Sequence, residues 1–310
     1  MTIMKRLLYY ILVLPTLLSA PSATAQVLSD FLPSALTNNP IAQYNASKCY
    51  AYGWGTDINP QRAAYFLRRS AEGAQPQAMA ELAEQFSSTS PLLADYWRAE
   101  GGESRGNHYE SYDNGCYYGE TMSYQRDGYG SYAWDSGAVY SGEWQDGRRH
   151  GMGFSVFGDA SHYGRYTDEP NGYGALIITN PEHQFAGIEG ACIYVGDFVG
   201  GTPQGVGTLY DRNGTLLYYG NFSKGHPSAT YPTTANYAHY RWAHESLPGG
   251  DTYEGESNGG IREGFGIYRW ADGSVWFGEW EGGVRSGEGL YINANGAMMA
   301  GIWAGGELQE

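Results

Sequence analysis

Apolar and polar positions alternate along the C-terminal two thirds of the chain in a pattern that is centred on single glycines. A large residue, most often aromatic, generally stands two positions before the glycine and another stands two positions after it, and the clearest copy is Tyr140–Trp144 (YSGEW). Alternate residues of a strand point to the same face, so this spacing places both large side chains on one face with a gap between them. The pattern predicts β-strands.

This pattern returns about every 23 residues. Most copies close with a Gly-x-Gly motif eight or nine residues after the central glycine, and turn signals such as Asp272-Gly273 and Asn295-Gly296 separate the copies. Each copy therefore predicts one β-hairpin, and the fixed period predicts hairpins stacked into one array. The structural repeat glycines are Gly119, Gly142, Gly164, Gly196, Gly220, Gly255, Gly278 and Gly301.

The repeated residues resemble the MORN repeat, whose pattern is roughly Tyr-x-Gly-x-Trp-x-x-Gly-x-x-x-Gly-x-Gly. The copies at Gly142 and Gly278 carry this pattern most completely, and the resemblance covers about 190 residues. The resemblance implies aromatic-lined grooves that bind other proteins, and self-association into a homo-oligomer.

Two places depart from the repeat. About ten extra residues lie between Gly174 and Gly196, and the Gly220 copy loses its closing glycines and continues into Gly225–Gly250. Insertions in repeat arrays are often functional. The sequence leaves open whether Gly225–Gly250 is a degenerate repeat or a functional loop.

Residues 26–105 follow a helical pattern instead. Alanines and aromatic residues recur at helical spacing, Pro60 and Pro76 stand near the predicted helix starts, and Gly73 stands near a predicted end. The motifs here, such as Tyr50–Gly55 (YAYGWG), resemble a Sel-like repeat, a relative of the tetratricopeptide repeat. The predicted fold class is therefore α+β, with a short N-terminal antiparallel helical repeat followed by an elongated antiparallel β-hairpin array.

The first residues read as a secretory signal peptide. Lys5 and Arg6 precede an apolar run over 7–18, and small residues at 23–25 offer a cleavage site before Gln26. We therefore expect an exported protein, periplasmic or secreted. The predicted organisation is a signal peptide at 1–25, a Sel-like segment at 26–105, the first part of the array at 106–225, an irregular insertion or degenerate repeat at 226–251, and the second part of the array at 252–310.

Charge limits the partners. The chain has a net charge of -15, and residues 106–310 carry 10 basic and 25 acidic side chains. This balance disfavours nucleic acid and makes binding to anionic membranes improbable. It is explained either by solubility or by a basic protein partner, and the sequence leaves both open.

Candidate chemistry is sparse. Seven scattered histidines and the absence of catalytic, phosphate-binding or metal-binding motifs predict a protein that is not an enzyme, with no cofactor and no metal site. Cys49, Cys116 and Cys192 are expected to be buried and free. A disulfide from Cys49 remains open, whereas Cys116 and Cys192 stand three repeats apart, too far for a bond in a regular array.

The sequence favours an exported, non-enzymatic protein–protein interaction scaffold of the bacterial envelope. The alternative is a periplasmic immunity protein that neutralises a secreted toxin, as in type VI secretion, and a further alternative is a ligand- or lipid-binding accessory protein. The partner is expected to be another protein, either a basic toxin or an envelope protein. The candidate partner-binding residues are Tyr231, Tyr237, Tyr240, Arg241, Trp242, Tyr140, Trp144, Trp276 and Trp280.

Overall fold

The computed structural model describes residues 27–99, 106–180, 182, 185–228 and 239–309. The predicted signal peptide at 1–25 lies outside the described residues. Within these ranges the chain forms two compact units, one made of 27–89 and 96–99 and the other of 90–95 and 106–309. Among the described residues, no helix has the length and apolar character needed to cross a membrane.

Within the part of the chain that the structure describes, five helices precede the strands, where the sequence predicts short antiparallel helices. Two of them begin with the same local device, an asparagine followed by proline. The side chains of Asn39 and Asn59 accept hydrogen bonds from the amides of Ala42 and Arg62 at 2.9 and 3.0 Å, which satisfies donors that a helix start leaves unpaired. The helices are α1 (Leu28–Leu36), α2 (Pro40–Tyr52), α3 (Pro60–Glu72), α4 (Pro76–Phe86) and α5 (Pro91–Arg98).

Consecutive helices of the first unit pack on a small core. Ala46 and Cys49 of α2 are fully buried, and the Tyr50 and Phe66 rings stack with centroids 5.8 Å apart. Helix α2 ends at Gly53, whose φ of 74° is the left-handed conformation that glycine adopts readily. The helical prediction is confirmed; its assignment to the Sel-like family stays a prediction.

The second unit contains two antiparallel sheets in which every strand pairs with its neighbours in sequence. Counted over the described residues, the first sheet has eleven strands and the second has seven. Strands of the first sheet are β1 (Asn107–Tyr112), β2 (Gly115–Met122), β3 (Gln125–Trp134), β4 (Val139–Gln145), β5 (Arg148–Phe157), β6 (Ala160–Thr167), β7 (Glu169–Ile178), β8 (Ala191–Val199), β9 (Thr202–Asp211), β10 (Leu216–Ser223) and β11 (His226–Pro227). Strands of the second are β12 (Tyr240–Ser246), β13 (Thr252–Asn258), β14 (Ile261–Arg269), β15 (Val275–Glu281), β16 (Val284–Ile292), β17 (Met298–Ala304) and β18 (Glu307–Leu308).

The repeat glycines form a continuous lane across each sheet. Gly142 lies directly opposite Gly130 on one side and Gly153 on the other, and Gly278 lies likewise between Gly266 and Gly289. A Cβ on Gly142 would stand 2.5 Å from the Cα of Gly153, so the lane admits no side chain without movement. Close approach of neighbouring backbones explains why the repeat requires glycine here.

The hairpins form two facing sheets where the sequence alone suggests a single array. Phe277 of β15 meets Phe154 and Tyr163 of the first sheet edge to face, with ring centroids 6.0 and 5.3 Å apart. Phe265, Ile267, Phe277 and Leu290 share one buried core with strands of the first sheet. Each of these residues lies an odd number of positions from a repeat glycine. Its side chain therefore points to the face of the sheet opposite the glycine lane.

The division between the sheets falls inside the segment 226–251. Residues 229–238 lie outside the described residues, but Tyr240–Ser246 is a regular strand that pairs with β13 along its whole length. An isolated bridge between Thr215 and Arg241 connects the end of one sheet with the start of the other. The irregular part is therefore shorter than the segment that the sequence sets apart.

Candidate functional site

In most repeats a tyrosine stands two positions before the glycine, and it lies over the glycine lane. A Cβ on Gly153 would come within 2.7 Å of the Tyr140 ring, and the Tyr140 hydroxyl donates to the carbonyl of Glu143 at 2.8 Å. The same bond to the carbonyl three residues later recurs in other repeats, and it uses the only polar atom of a buried side chain. The recurring donors are Tyr117, Tyr140, Tyr194, Tyr218 and Tyr253.

The glutamates that follow the repeat glycines also make contacts within the fold. A β-bulge follows the glycine in these strands, and it leaves a backbone amide of the next strand without a ladder partner. Glu120 accepts from the amide of Tyr129 at 2.9 Å, and Glu279 accepts from the amide of Glu288 at 3.0 Å. This row of carboxylates is structural.

Four arginines seven residues after the glycines sit in aromatic cages. The guanidinium carbon of Arg126 lies 4.4 Å from the centroid of the Trp144 ring, and that of Arg285 lies 4.5 Å from the Trp303 ring. Both side chains also donate to a carbonyl of the following hairpin turn. The four are Arg126, Arg149, Arg262 and Arg285. Much of the repeat's charge and aromatic surface is thus used within the fold.

A cleft of about 260 Å³ opens between the two sheets, beside the division between them. Strands β7 to β10 form one wall and strands β12 to β14 form the other. Val195 and Val206 contribute the apolar part, and glycines leave room for the space itself. Its polar side chains are Tyr173, Thr208, Tyr219, Tyr240, Glu256 and Glu263.

Glu256 is the buried acid of this cleft, with only 5% of the residue exposed. Its Oε1 accepts from the hydroxyls of Tyr210 at 2.7 Å and Thr208 at 2.9 Å. Its Oε2 accepts from the amide of Phe265 at 3.0 Å and from the hydroxyl of Tyr173 at 3.2 Å. Three of these donors belong to the first sheet, so this carboxylate of the second sheet forms hydrogen bonds that link the two sheets.

Burial governs the acid–base behaviour of this group. Desolvation raises the pKa of Glu256 above its usual value of 4.5, and the four hydrogen bonds act in the opposite direction. Burial, followed by the charge of Glu256, raises the pKa of Tyr210 well above 10. The tyrosine therefore stays a neutral donor. No groups of three or more histidine, cysteine, aspartate or glutamate side chains are placed to hold a metal ion among the described residues.

The MORN repeat model matches the chain at residues 117–139, 140–161, 194–216, 253–275 and 276–298. Five of its hairpin units are MORN repeats. Comparison with curated proteins finds no significant match.

One further hairpin has the geometry of the MORN repeats without matching the family model. The unit centred on Gly164 has His162 where the pattern has tyrosine, yet it forms β6 and β7 in the same register. His162 is 1% exposed, and its Nδ1 lies 2.8 Å from the Tyr166 hydroxyl. Burial, with a smaller contribution from Arg149, lowers the pKa of His162 to about 3. This histidine is a neutral core residue.

The predicted aromatic groove of the MORN repeats is filled by its own side chains. Tyr140 and Trp144 are buried and meet edge to face at 5.2 Å, and Trp276 and Trp280 repeat this contact at 5.2 Å. Since Tyr140 packs against Trp144 and Trp276 packs against Trp280, these four buried side chains expose little surface in this conformation, and their role in partner binding stays a prediction.

The other predicted residues separate into three groups. Trp242 is 1% exposed and packs near Tyr210 in the core between the sheets, so it presents almost no surface to a partner in this conformation. Tyr231 and Tyr237 lie outside the described residues. Tyr240 lines the cleft and Arg241 is exposed beside it, so these two keep their candidacy.

Sequence reasoning missed the cleft acids and the caged arginines. The arginines were visible in the sequence, because each stands seven positions after a MORN repeat glycine. Glu256 carries the same signal as the other glutamates, and only the approach of Thr208 and Tyr210 from the other sheet distinguishes it. All three cysteines are buried and free.

Proposed function

We propose that the protein is an exported, non-enzymatic interaction scaffold of the bacterial envelope, and that its partner binds where the two sheets divide. MORN repeats are interaction modules for proteins and membranes. The observation that carries the location is the cleft beside the division, where the repeat pattern is interrupted; a second cleft, of about 570 Å³, lies among regular hairpins around Arg148. We call the cleft residues Tyr219, Tyr240 and Glu263 together with Arg241 the division surface.

The regular repeats supply little else for a partner. Their tyrosines donate to the backbone, their glutamates accept from bulge amides, and four of their arginines are enclosed by rings. A partner that used these side chains would have to break the contacts that they make within the fold. The MORN pattern is interrupted at the division, and departures from a repeat are often where function lies.

Site-specific photocrosslinking tests the location. A photoreactive amino acid at Arg241 is expected to yield a discrete adduct in cells that express the protein. The matched control is the same substitution at Arg148, an exposed arginine at the tip of a regular hairpin. Adducts of equal yield and identity at both positions, or adducts at Arg148 alone, would place the partner elsewhere.

Cell fractionation tests export. The chain with its first 25 residues is expected in the periplasmic or secreted fraction with a new N-terminus at Gln26, whereas a chain that starts at Gln26 stays in the cytoplasm. Retention of the full chain in the cytoplasm with an intact N-terminus would reject the exported role while leaving the crosslinking result valid.

One observation favours the alternative role as an immunity protein. The array carries 25 acidic against 10 basic residues, and a basic toxin is a complementary partner. The crosslinked protein decides between the roles. An exported basic toxin whose activity falls on binding identifies an inhibitor, and an envelope protein that keeps its activity identifies a scaffold.

A further inference from the structure

We propose that the outer edge of β17 binds an extended basic segment of another protein, which joins the second sheet as a further strand. The inference does not rest on the scaffold role, and it concerns the edge of this sheet that lies opposite β12 and the division surface. Three observations lead to it: the outward-facing backbone of the edge, its apolar side chains and the sign of the charge around it.

Backbone groups of β17 point away from β16 at alternate residues. The amide of Gln309 donates to the carbonyl of Ile302 at 2.8 Å, which places the backbone groups of Ile302 on the outer side. Alternation along an antiparallel strand then places those of Ala300 and Met298 on the same side. These three residues are therefore the positions at which a further strand would pair.

Strand β18 covers only the end of this side. It pairs with Trp303 and Ala304, and among the described residues no strand pairs with 298–301 there. The hydroxyl of Tyr129, from the first sheet, accepts from the Ala300 amide at 2.8 Å, so this donor is already used. The carbonyl of Ala300 remains for a new strand, together with the groups of the residues before it. An open edge of this kind pairs readily with another chain.

The side chains of this edge are apolar and partly accessible. Met299 is 46% exposed and Ile302 is 53% exposed, and 298–303 (MMAGIW) contains no proline and no charged residue. Natural edge strands generally carry lysine, proline or another device that prevents pairing with a further chain. Helix α5 reaches the turn before β17, where a Cβ on Gly296 would meet the backbone of Leu92, but the strand itself lacks such protection.

Acids lie beside the open stretch. Burial raises the pKa of Tyr129, and the charges of Glu143 and Glu120 raise it further, because both carboxylates lie near the hydroxyl that accepts from Ala300. Glu307 stands on β18, where it pairs with the end of β17. A strand with positive charge at both ends of its apolar residues is complementary to these acids, whereas an acidic strand is repelled.

The cations of this region are engaged within the fold. The guanidinium carbon of Arg285 lies 4.5 Å from the centroid of the Trp303 ring, and its side chain donates to a backbone carbonyl. Arg165 pairs with Glu288. Over 239–310 the sequence contains four arginines, no lysine and eleven carboxylates. Like charge therefore opposes pairing with a second copy, and a basic segment of a different protein is the complementary occupant.

Titration with a blocked peptide tests the inference. The probe is acetyl-Lys-Val-Thr-Val-Thr-Val-Lys-amide, added to the full chain at about 0.15 M salt, where charges beyond about 8 Å are screened. We expect saturable binding with half-saturation below about 1 mM, the equivalent of about 4 kcal/mol, and slower hydrogen exchange of the Met298 amide. Absence of saturation at several millimolar, or binding that leaves this amide unprotected, would overturn the proposal.

Two control peptides separate strand pairing from charge. Proline in place of the central valine keeps both lysines but removes a backbone donor and the extended conformation at its neighbour. Glutamate in place of both lysines keeps the strand and reverses its charge. Each change is expected to weaken binding at least about tenfold, the equivalent of about 1.4 kcal/mol. Equal binding of the proline peptide would reject strand addition, and equal binding of the acidic peptide would reject a basic partner.

Two matched substitutions locate the site. Ile302 and Ile261 are exposed isoleucines of the same sheet, at 53% and 55%, but Ile261 begins β14, an interior strand about 14 Å from β17. Ile302→Lys places a cation on the open edge and is expected to weaken peptide binding about tenfold, whereas Ile261→Lys leaves it unchanged. Equal weakening by both would show general charge attraction and reject the site. If Ile302→Lys lowers the melting temperature, Met299→Lys is the second test, with the same expected loss.

Analytical ultracentrifugation distinguishes a foreign strand from a second copy of this chain. A chain that stays monomeric at the concentrations of the titration, and that binds the basic peptide, supports the proposal. A dimer that excludes the peptide and that Ile302→Lys dissociates would show that the edge pairs with its own copy, and this would overturn the basic partner.

Discussion

The hydroxyl of Tyr210 donates to Oε1 of Glu256 at 2.7 Å, and this bond joins β9 of the first sheet to β13 of the second. Since Thr208 and Tyr173 donate to the same carboxylate, the acid is an internal crosslink between two sheets that diverge at the cleft. Glu256 occupies a repeat position that other glutamates also occupy. Its hydrogen-bond partners from the facing sheet are what distinguish it.

Glu256→Ala should therefore destabilise the protein strongly. It removes the acceptor of three hydroxyls and one amide, of which the Thr208 hydroxyl has a second acceptor in the Val195 carbonyl at 3.2 Å, and each buried group left unpaired costs about 1–3 kcal/mol. We expect a loss of about 3 kcal/mol or more in the free energy of unfolding, measured by denaturant titration.

Glu279→Ala is the matched control for Glu256→Ala. Glu279 occupies the same repeat position and accepts from a backbone amide of the next strand, with no hydroxyl from the first sheet bonded to it among the described contacts. We expect a loss of about 1 kcal/mol. Equal losses for the two variants would show that the contacts across the sheets add nothing.

Gly289→Ala should also destabilise the fold. A Cβ there would stand 2.5 Å from the Trp276 ring, a rigid neighbour, and overpacking of this kind costs about 1–3 kcal/mol. Gly142→Val and Gly278→Val are expected to lose at least as much, because both glycines face a neighbouring backbone. Thermal melting measures these effects.

Gly301→Ala tests whether the ring causes the loss. Gly301 pairs directly with Gly289, but its Cβ would meet only the end of the Leu308 side chain, which can rotate away. We expect less than about 1 kcal/mol of destabilisation. If both alanines lower the melting temperature equally, or if Gly142→Val and Gly278→Val leave it unchanged, close packing is not the reason for the glycines.

His162 should make stability fall in acid. Burial holds its pKa at about 3 in the folded protein, against 6.5 when exposed. Below pH 6.5 the unfolded chain therefore binds a proton that the folded chain does not, and stability is lost progressively from about pH 6.5 to about pH 3. Between pH 7.5 and pH 5 the loss from this group is about 2 kcal/mol.

His162→Phe should remove this part of the acid dependence, as measured by denaturant titration at both pH values. Comparison of the two proteins isolates the histidine from Glu256, whose raised pKa acts in the opposite sense: its contribution to stability is present below pH 4.5 and lost as the pH rises through the folded pKa. The exposed His239, changed to Gln, provides the control. Parallel pH profiles for the wild type and His162→Phe would show that the histidine is not held neutral.

Anionic vesicles should bind the protein weakly and without sensitivity to salt. Of the cations in the array, four are enclosed by rings and Arg165 pairs with Glu288 across the sheets. Sedimentation with phosphatidylserine or cardiolipin liposomes measures this. Strong binding that disappears at high salt, and that Arg148→Glu abolishes, would show that a local basic surface outweighs the acidic array.

The sequence predicted the hairpins because each depends on local signals. The spacing around Gly142 places Tyr140 and Trp144 on one face, and the structure confirms this. The prolines at positions 60 and 76 also begin the predicted helices. Turn residues, strand alternation and helix caps act over a few residues, so a single repeat contains the information.

The pairing of the two sheets could not be read in the same way. Nothing near Phe277 indicates that it meets Phe154, because the two stand in equivalent, equally apolar strands. The sequence offered Trp242 as a partner contact because it lies in the segment that interrupts the repeats, yet its side chain is buried in the core between the sheets. The cleft forms because the second sheet packs against the first, so no local sequence pattern identifies its residues.

Arg165 and Glu288 form an ion pair across 123 residues of sequence. In an open solenoid each repeat touches only its neighbours, so stability is a sum of nearest-neighbour terms and folding can start anywhere. In this protein the two facing sheets share one core, so the repeats are not independent. Repeats from the early and the late part of the chain must both be folded before the shared core exists. We therefore expect both sheets to unfold in a single transition, because neither sheet keeps the shared core without the other.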